Sequence, residues 1–397
     1  MAVIRIEEPG RRAAPPRGFA FWQLGFRPFY LLASVFSALS IALWAAQFSG
    51  WLRHAYLPGP LWHAHEMLFG FVLAVIVGFL FTAGRNWSNR PTPRGATLAA
   101  LAALWLAARL LVLTPWVWAS MIVSAAFPIF AAAGLAVALV GAGNRRNYFF
   151  VALLVVLGLA DLAIHLSVLG VITPPPQLGV QVALDVVLFI VAVMAGRVVP
   201  MFTNNGVPGA DASRNGAVEK AALGALIVLG ALDAAGIDGG GVAAVAAFAC
   251  LAHLARWLLW RPWKTKPAPL VWSLHVAYAW IPLHLLLRVG VEFGAVSASL
   301  AVHALTAGAV AGMIIAMMVR TTRGHTALPL RADGVDVACF VLVTGAALVR
   351  VGAPLLAPAL TLPAIVASAA LWSAGFGLFA VRYAAILVRP RRDGEPG

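Results

Sequence analysis

The chain has 397 residues, of which 62% are hydrophobic and only 11% charged, and its formal net charge is +14. Soluble domains have about a quarter charged residues, so this composition excludes a soluble globular protein and makes the lipid bilayer the expected solvent. Lipid cannot hydrogen-bond the backbone, and the alternating short segments of a transmembrane barrel do not occur here. The sequence therefore predicts an all-α polytopic membrane protein.

Apolar stretches of about 17–25 residues, the length that crosses the hydrocarbon layer, follow one another along the chain. The first six predicted spans are 26–48, 63–83, 96–113, 115–140, 148–170 and 178–199. The next six are 217–235, 239–260, 270–292, 298–319, 334–354 and 362–388. We therefore predict a single transmembrane domain of about 12 helices over residues 21–389, between an N-terminal tail at 1–20 and a C-terminal tail at 390–397.

The basic residues alternate between the two ends of the predicted helices. All but four of the 28 Lys and Arg lie near the chain termini or near every second connection, which is the pattern of cytoplasmic segments. The four exceptions are Arg53, Arg109, Arg288 and Arg350. Both termini are therefore predicted to be cytoplasmic. The scatter of basic residues among short connections argues against a nucleic-acid partner and favours lipid.

Histidines carry most of the functional information, because ionisable groups at membrane depth cost several kcal/mol and usually have a function. Five of them are predicted in the outer half of the bundle: His63, His65, His165, His284 and His303. Neutral imidazole is a common ligand for haem iron and copper, and helix bundles place such ligands in their cores. A single membrane histidine more often hydrogen-bonds a neighbouring helix, whereas five at one depth make a metal or haem site an equal alternative. Glu66, Asp185 and Glu292 in the same half could instead mark an ion or proton path.

Two of these histidines lie in the run Trp-His-Ala-His-Glu-Met at 62–67. On a helix, His63 and His65 would point about 200° apart and serve different partners, whereas in an extended segment they would share one side and one metal. Asp161 lies one helical turn before His165, where its carboxylate could hold that imidazole in one tautomer. Glu66 and Asp161 could instead relay protons, so both are candidate catalytic residues.

A second polar group is predicted at the inner end of the bundle. The segments 196–205 and 320–326, together with the start of the ninth span, place Arg197, His275 and His325 at one level. They could form a second haem site or an anion site. The alternative is that they cap helices and anchor the inner interface.

Several runs, in the same order, resemble the NnrS family of bacterial inner-membrane proteins. They are Gly-Phe-Arg-Pro-Phe-Tyr-Leu-Leu (25–32), Trp-His-Ala-His-Glu-Met-Leu-Phe-Gly-Phe (62–71), Asn-Arg-Arg-Asn (144–147), Gly-Arg-Val-Val-Pro-Met-Phe-Thr-Asn-Asn (196–205), Leu-His-Val-Ala-Tyr-Ala-Trp (274–280), His-Ala-Leu-Thr-Ala-Gly (303–308) and Arg-Gly-His-Thr (323–326). The resemblance covers nearly the whole chain. It implies a multi-pass inner-membrane protein with haem and copper, linked to nitric oxide metabolism and resistance and to denitrification.

The residues and the resemblance together predict a haem- and copper-containing redox protein that reduces nitric oxide, with a quinol or a cytochrome as electron donor. The outer ligands are predicted to be His63, His65 and His303, completed by His165 or His284. The second cofactor is predicted to contact His275, His325 and Arg197. Two alternatives stay open: a membrane transporter, and a sensor that binds nitric oxide or metal without turnover.

Overall fold

The structure is a computed structural model that describes residues 18–51, 57 and 59–394. Those residues form helices, turns and connections and contain no strand, which confirms the all-α prediction. The predicted tail residues 1–17 and 395–397 lie outside the described part of the chain.

The described residues contain twelve long helices, one at each predicted span. The first six are α1 (Phe26–Phe48), α2 (Gly59–Ser88), α3 (Gly95–Leu111), α4 (Val117–Gly141), α5 (Tyr148–Val168) and α6 (Pro176–Gly206). The next six are α7 (Gly216–Ala234), α8 (Gly240–Leu259), α9 (Pro269–Glu292), α10 (Ala298–His325), α11 (Gly334–Leu356) and α12 (Thr361–Val388).

Ten of the twelve helices are long and apolar enough to cross a membrane, which confirms a multi-pass protein. The other two are α3, an apolar helix of 17 residues, and α7, which has 19 residues and carries Glu219, Lys220 and Asp233. The count of twelve spans and the cytoplasmic position of both termini therefore stay predictions.

Local chemistry explains several helix starts. Pro176 opens α6, where its missing N–H and restricted φ suit the first turn. The Asn215 side chain accepts hydrogen bonds from two backbone N–H groups at the start of α7. Asp333 and Asp336 form a reciprocal capping box at the start of α11.

The helices that carry the candidate histidines lie in the middle of the bundle. In α2, 83% of the apolar window is buried inside the protein, and in α9 and α10 the share is 72%, against 44% in α1. These three central helices carry six of the seven predicted ligand histidines, and α5 carries the other. Their polar groups must therefore be satisfied by neighbouring helices or by a bound group rather than by water.

Two of the central helices widen into π-helical segments, Glu66–Val72 in α2 and Ala304–Val310 in α10. Each segment begins directly after a candidate ligand, His65 or His303. A glycine in each packs against an aromatic ring: a Cβ on Gly70 would collide with Phe36, and one on Gly308 would collide with Trp280. Single π-helical turns in α-helices are frequent at functional sites, so both segments indicate a functional site near His65 and His303.

Candidate metal centre and cofactor cavity

The backbone conformation at the start of α2 determines which residues His63 and His65 contact. Residues Gly59–His65 are α-helical, so His63 and His65 point in different directions, as the helical alternative predicted, and the extended alternative is wrong. His65 contacts Glu66 and Asp161, whereas His63 contacts Trp44 and His303. The five outer histidines therefore do not form one site.

The helices α2 and α5 bring together His65, Asp161 and His165, a candidate metal site that we call the metal centre. Asp161 Oδ1 lies 2.7 Å from His65 Nε2 and 3.5 Å from His165 Nε2. All three side chains are fully buried. Within the described part of the chain, this is the one group of three metal-binding side chains whose ligand atoms all lie within 4.8 Å of one another.

Two further residues support His65 from its other side. Glu66 Oε1 lies 2.8 Å from His65 Nδ1, and Arg109 on α3 donates to the same oxygen at 2.6 Å. Arg109 also donates to the Ser124 hydroxyl of α4 at 3.1 Å. With Nδ1–H of His65 donating to Glu66, the Nε2 nitrogen is directed at Asp161, which is how buried carboxylates orient metal-binding imidazoles.

The donor set of the metal centre fits a transition metal ion. Two imidazoles suit copper, iron and zinc, and two histidines with one carboxylate also suit non-haem iron. Asp161 Oδ2 is buried and has no hydrogen-bond partner among the described residues. Because such an orphaned buried oxygen is costly, it is a natural position for a ligand.

A cavity of about 410 Å³ lies between α1, α2, α6, α10, α11 and α12, and we call it the histidine cavity. Its walls are mostly apolar and include the aromatic rings of Trp44, Phe71 and Trp372. Its polar groups include His63, His303 and Arg350. A mostly apolar cavity with a few converging polar groups is the usual form of a cofactor or small-molecule site.

The two histidines of this cavity face each other across a short distance. Their ring planes differ by 7° and their centroids are 6.1 Å apart, and Trp44 stacks on His63 at 4.9 Å. His303 Nδ1 donates to the Ser299 carbonyl at 2.7 Å, so its Nε2 keeps a lone pair. His63 and His303 are therefore the two imidazoles of the cavity that could bind a metal or a haem iron.

Arg350 brings a positive charge to the histidine cavity. Its guanidinium donates to the Ser299 hydroxyl at 3.0 Å, the residue whose carbonyl orients His303. In the sequence, Arg350 and Arg109 stand out only as two of the four exceptions to the charge alternation. Their position outside the alternation was the one sequence signal of a role at the site, because a cation on the side with few basic residues needs a local partner.

A comparison with protein families matches residues 20–391 to the family described as NnrS protein. The chain belongs to the NnrS family. A search of curated proteins finds no match. The family match spans both the metal centre and the histidine cavity, and it confirms the resemblance seen in the sequence. Membership supports a membrane protein whose function is related to nitric oxide.

The remaining outer histidine of this NnrS protein lies apart from both groups. His284 Nδ1 donates to the Ala301 carbonyl at 2.7 Å, which ties α9 to α10. Of the two residues predicted to complete the outer site, the structure brings His165 and not His284 next to His65. A ligand role for His284 stays a prediction.

The predicted inner residues have separate surroundings in this NnrS protein. His275 Nε2 donates to the Thr203 hydroxyl at 2.8 Å, because that hydroxyl already donates to Val199. The His325 ring lies 5.5 Å from Phe26. Arg197 donates to Asn147 at 2.7 Å.

The Arg197 guanidinium also lies over the rings of Trp87, Phe149 and Phe150. The contacts of His275, His325 and Arg197 therefore lead to different partners. The prediction that the three residues share a second cofactor stays untested.

The predicted inner half of this NnrS protein also holds a buried network that was not predicted from the sequence. Arg256 on α8 donates to Glu219 at 2.7 and 2.9 Å, to the Ala192 carbonyl at 2.8 Å and to the Tyr278 hydroxyl at 3.1 Å. The Tyr278 hydroxyl then donates to His253 Nδ1 at 2.6 Å. The network joins side chains and backbone of α6, α7, α8 and α9, and it therefore holds these four helices together.

Proposed function

We propose that this NnrS protein is a haem- and copper-containing oxidoreductase of the bacterial inner membrane that reduces nitric oxide. The observation that carries the proposal is the arrangement at the start of α2. There, His63 lines an apolar cavity, and His65, two residues later, belongs to a buried group of metal-binding side chains. One short helical segment thus links a site suited to haem with a site suited to a second redox metal.

The histidine cavity is the proposed haem site. His63 and His303 would hold the haem iron through their ring nitrogens, and Arg350 would pair with a carboxylate of the haem, since guanidinium–carboxylate pairs are strong and directional. The haem would supply one-electron transfer. The apolar walls exclude water and accept a small neutral gas that dissolves in the lipid.

The metal centre is the proposed copper site, with His65, His165 and Asp161 as its ligands. Glu66 holds the Nδ1–H of His65, and the second oxygen of Asp161 is available to the ion or to a proton. Reduction of two nitric oxide molecules to nitrous oxide and water consumes two electrons and two protons. We assign proton handling to Glu66 and Asp161, and electron supply to a quinol or a cytochrome.

The test begins with the protein purified in detergent. Its visible spectrum and its iron and copper contents should reveal haem and copper, and the reduced protein should consume nitric oxide. A protein without a Soret band and without copper or iron would contradict the proposal. Haem without consumption of nitric oxide would favour a binding or sensing role, and coupled substrate flux without a chromophore would favour a transporter.

Single variants then test the assignment of the two sites. His63→Ala and His303→Ala should each change the haem spectrum, whereas His65→Ala should lower the copper content. His284→Ala serves as the matched control, because His284 lies in the same half of the bundle but bonds a backbone carbonyl. Equal spectra for the His63, His303 and His284 variants would refute the haem assignment.

A further inference from the structure

A buried arginine, Arg109, contacts Glu66, which in turn contacts His65 of the metal centre. Arg109 is 5% exposed, and its two terminal nitrogens donate to Glu66 and Ser124. Glu66 Oε1 accepts from Arg109 at 2.6 Å and lies 2.8 Å from His65 Nδ1. Arg109 therefore reaches the proposed metal through two side chains in series, Glu66 and His65.

The π-helical segment of α2 makes room for this arginine. A Cβ added to Gly70 would lie 3.1 Å from the Arg109 guanidinium and would collide with the Phe36 ring. The Gly70 carbonyl accepts from the Trp105 indole of α3 at 2.9 Å, which holds α3 against the segment. The backbone that follows His65 therefore packs closely against α3, the helix that carries Arg109.

The charges of this network can be counted with a metal bound. Arg109 keeps its positive charge under all ordinary conditions. Glu66 and Asp161 are two negative groups, so with neutral imidazoles the protein supplies a net charge of one negative unit. A monovalent ion then leaves a neutral cluster, whereas a divalent ion leaves an uncompensated positive charge in a region of low dielectric constant.

We infer that Arg109 is a positioning and charge-setting residue that favours the reduced state of the metal held by His65, Asp161 and His165. Without Arg109 the protein would supply two negative units, and the divalent ion would be the balanced one. The same direction holds for iron, because an added positive charge always disfavours the higher oxidation state. The inference rests on the proposed metal centre.

Copper is the probe for the experiment. The affinities of the purified protein for copper(I) and copper(II) are measured by competition with chelators, and their ratio is compared among variants. Arg109→Gln should lower the copper(I)/copper(II) affinity ratio by about tenfold or more, equivalent to about 59 mV in midpoint potential. Glu66→Gln should raise the ratio. Arg109→Lys keeps the charge, so its ratio should stay near that of the wild type.

The double variant Arg109→Gln with Glu66→Gln separates charge from general disruption. It removes one charge of each sign, so its ratio should return toward the wild-type value. Arg288→Gln is the matched control: it removes another arginine of the same half, one that bonds Asp233 at 2.8 and 3.0 Å. That control should leave the ratio unchanged.

The outcomes distinguish this inference from the proposed function. A folded, copper-binding Arg109→Gln protein with the wild-type ratio overturns the inference alone. Where Arg109→Gln does not fold, Glu66→Gln and the double variant decide, and equal ratios for those two overturn it. A wild-type protein that binds no copper overturns the proposed copper centre and the inference together.

Discussion

Replacing Gly196 with alanine should break the buried ion pair of Arg256. Gly196 lies on α6 opposite α8, and a Cβ at this position would overlap a terminal nitrogen of the Arg256 guanidinium. The same Cβ would lie 2.8 Å from Arg256 Cζ and 2.9 Å from Glu219 Oε2. The guanidinium, held by four hydrogen bonds, has to move away.

The size of the effect follows from the burial of the pair. Arg256 is 1% exposed and Glu219 13%, and separating a buried ion pair costs about 3–5 kcal/mol. Alanine is better than glycine inside a helix by about 0.5–1 kcal/mol, which offsets only a small part. We therefore expect Gly196→Ala to lower the free energy of unfolding by about 2–4 kcal/mol.

The assay is unfolding in detergent, by heat or by added denaturing detergent, followed by tryptophan fluorescence. Gly224→Ala is the matched control, since Gly224 also lies within a helix, α7, and no atom lies within 4 Å of its added Cβ. That control should be as stable as the wild type or slightly more so. If Gly196→Ala and Gly224→Ala unfold alike, the argument that Gly196 exists to admit Arg256 is refuted.

Three other outcomes are expected. Asp161→Asn should lower the metal affinity by at least about tenfold, measured as metal content after dialysis, because it weakens a ligand and the orientation of its histidines. Trp105→Phe removes the indole N–H bond to the Gly70 carbonyl and should cost about 0.5–1.5 kcal/mol in the same unfolding assay. Partial burial opposes a lower pKa for Asp333, but the hydrogen bond from Arg382 and the nearby positive charges lower it nevertheless. The contribution of Asp333 to the free energy of unfolding should therefore be present above the unfolded-state pKa of about 3.9 and lost as the pH falls below it. The melting temperatures of the wild type and of Asp333→Asn should therefore converge at low pH.

The sequence by itself determined the helical segments, because each membrane crossing requires an uninterrupted apolar run and each connection requires polar or turn-forming residues. Every predicted span coincides with a helix, although α2, α6 and α10 extend several residues beyond the predicted ends. The predicted membrane depth of each histidine followed from its position within its span. Asp161 and His165 could also be paired in advance, since residues four apart share a helix face.

Only the tertiary structure decided which of these side chains meet. The division of the outer histidines into the metal centre and the histidine cavity depends on the helical start of α2, which turns His63 and His65 apart. The contacts of Arg109 and Arg350 join residues that are 43 and 51 positions apart in the chain. The physical reason is that helix period and hydrophobicity set the depth of a side chain, whereas its partner depends on how neighbouring helices are rotated and packed.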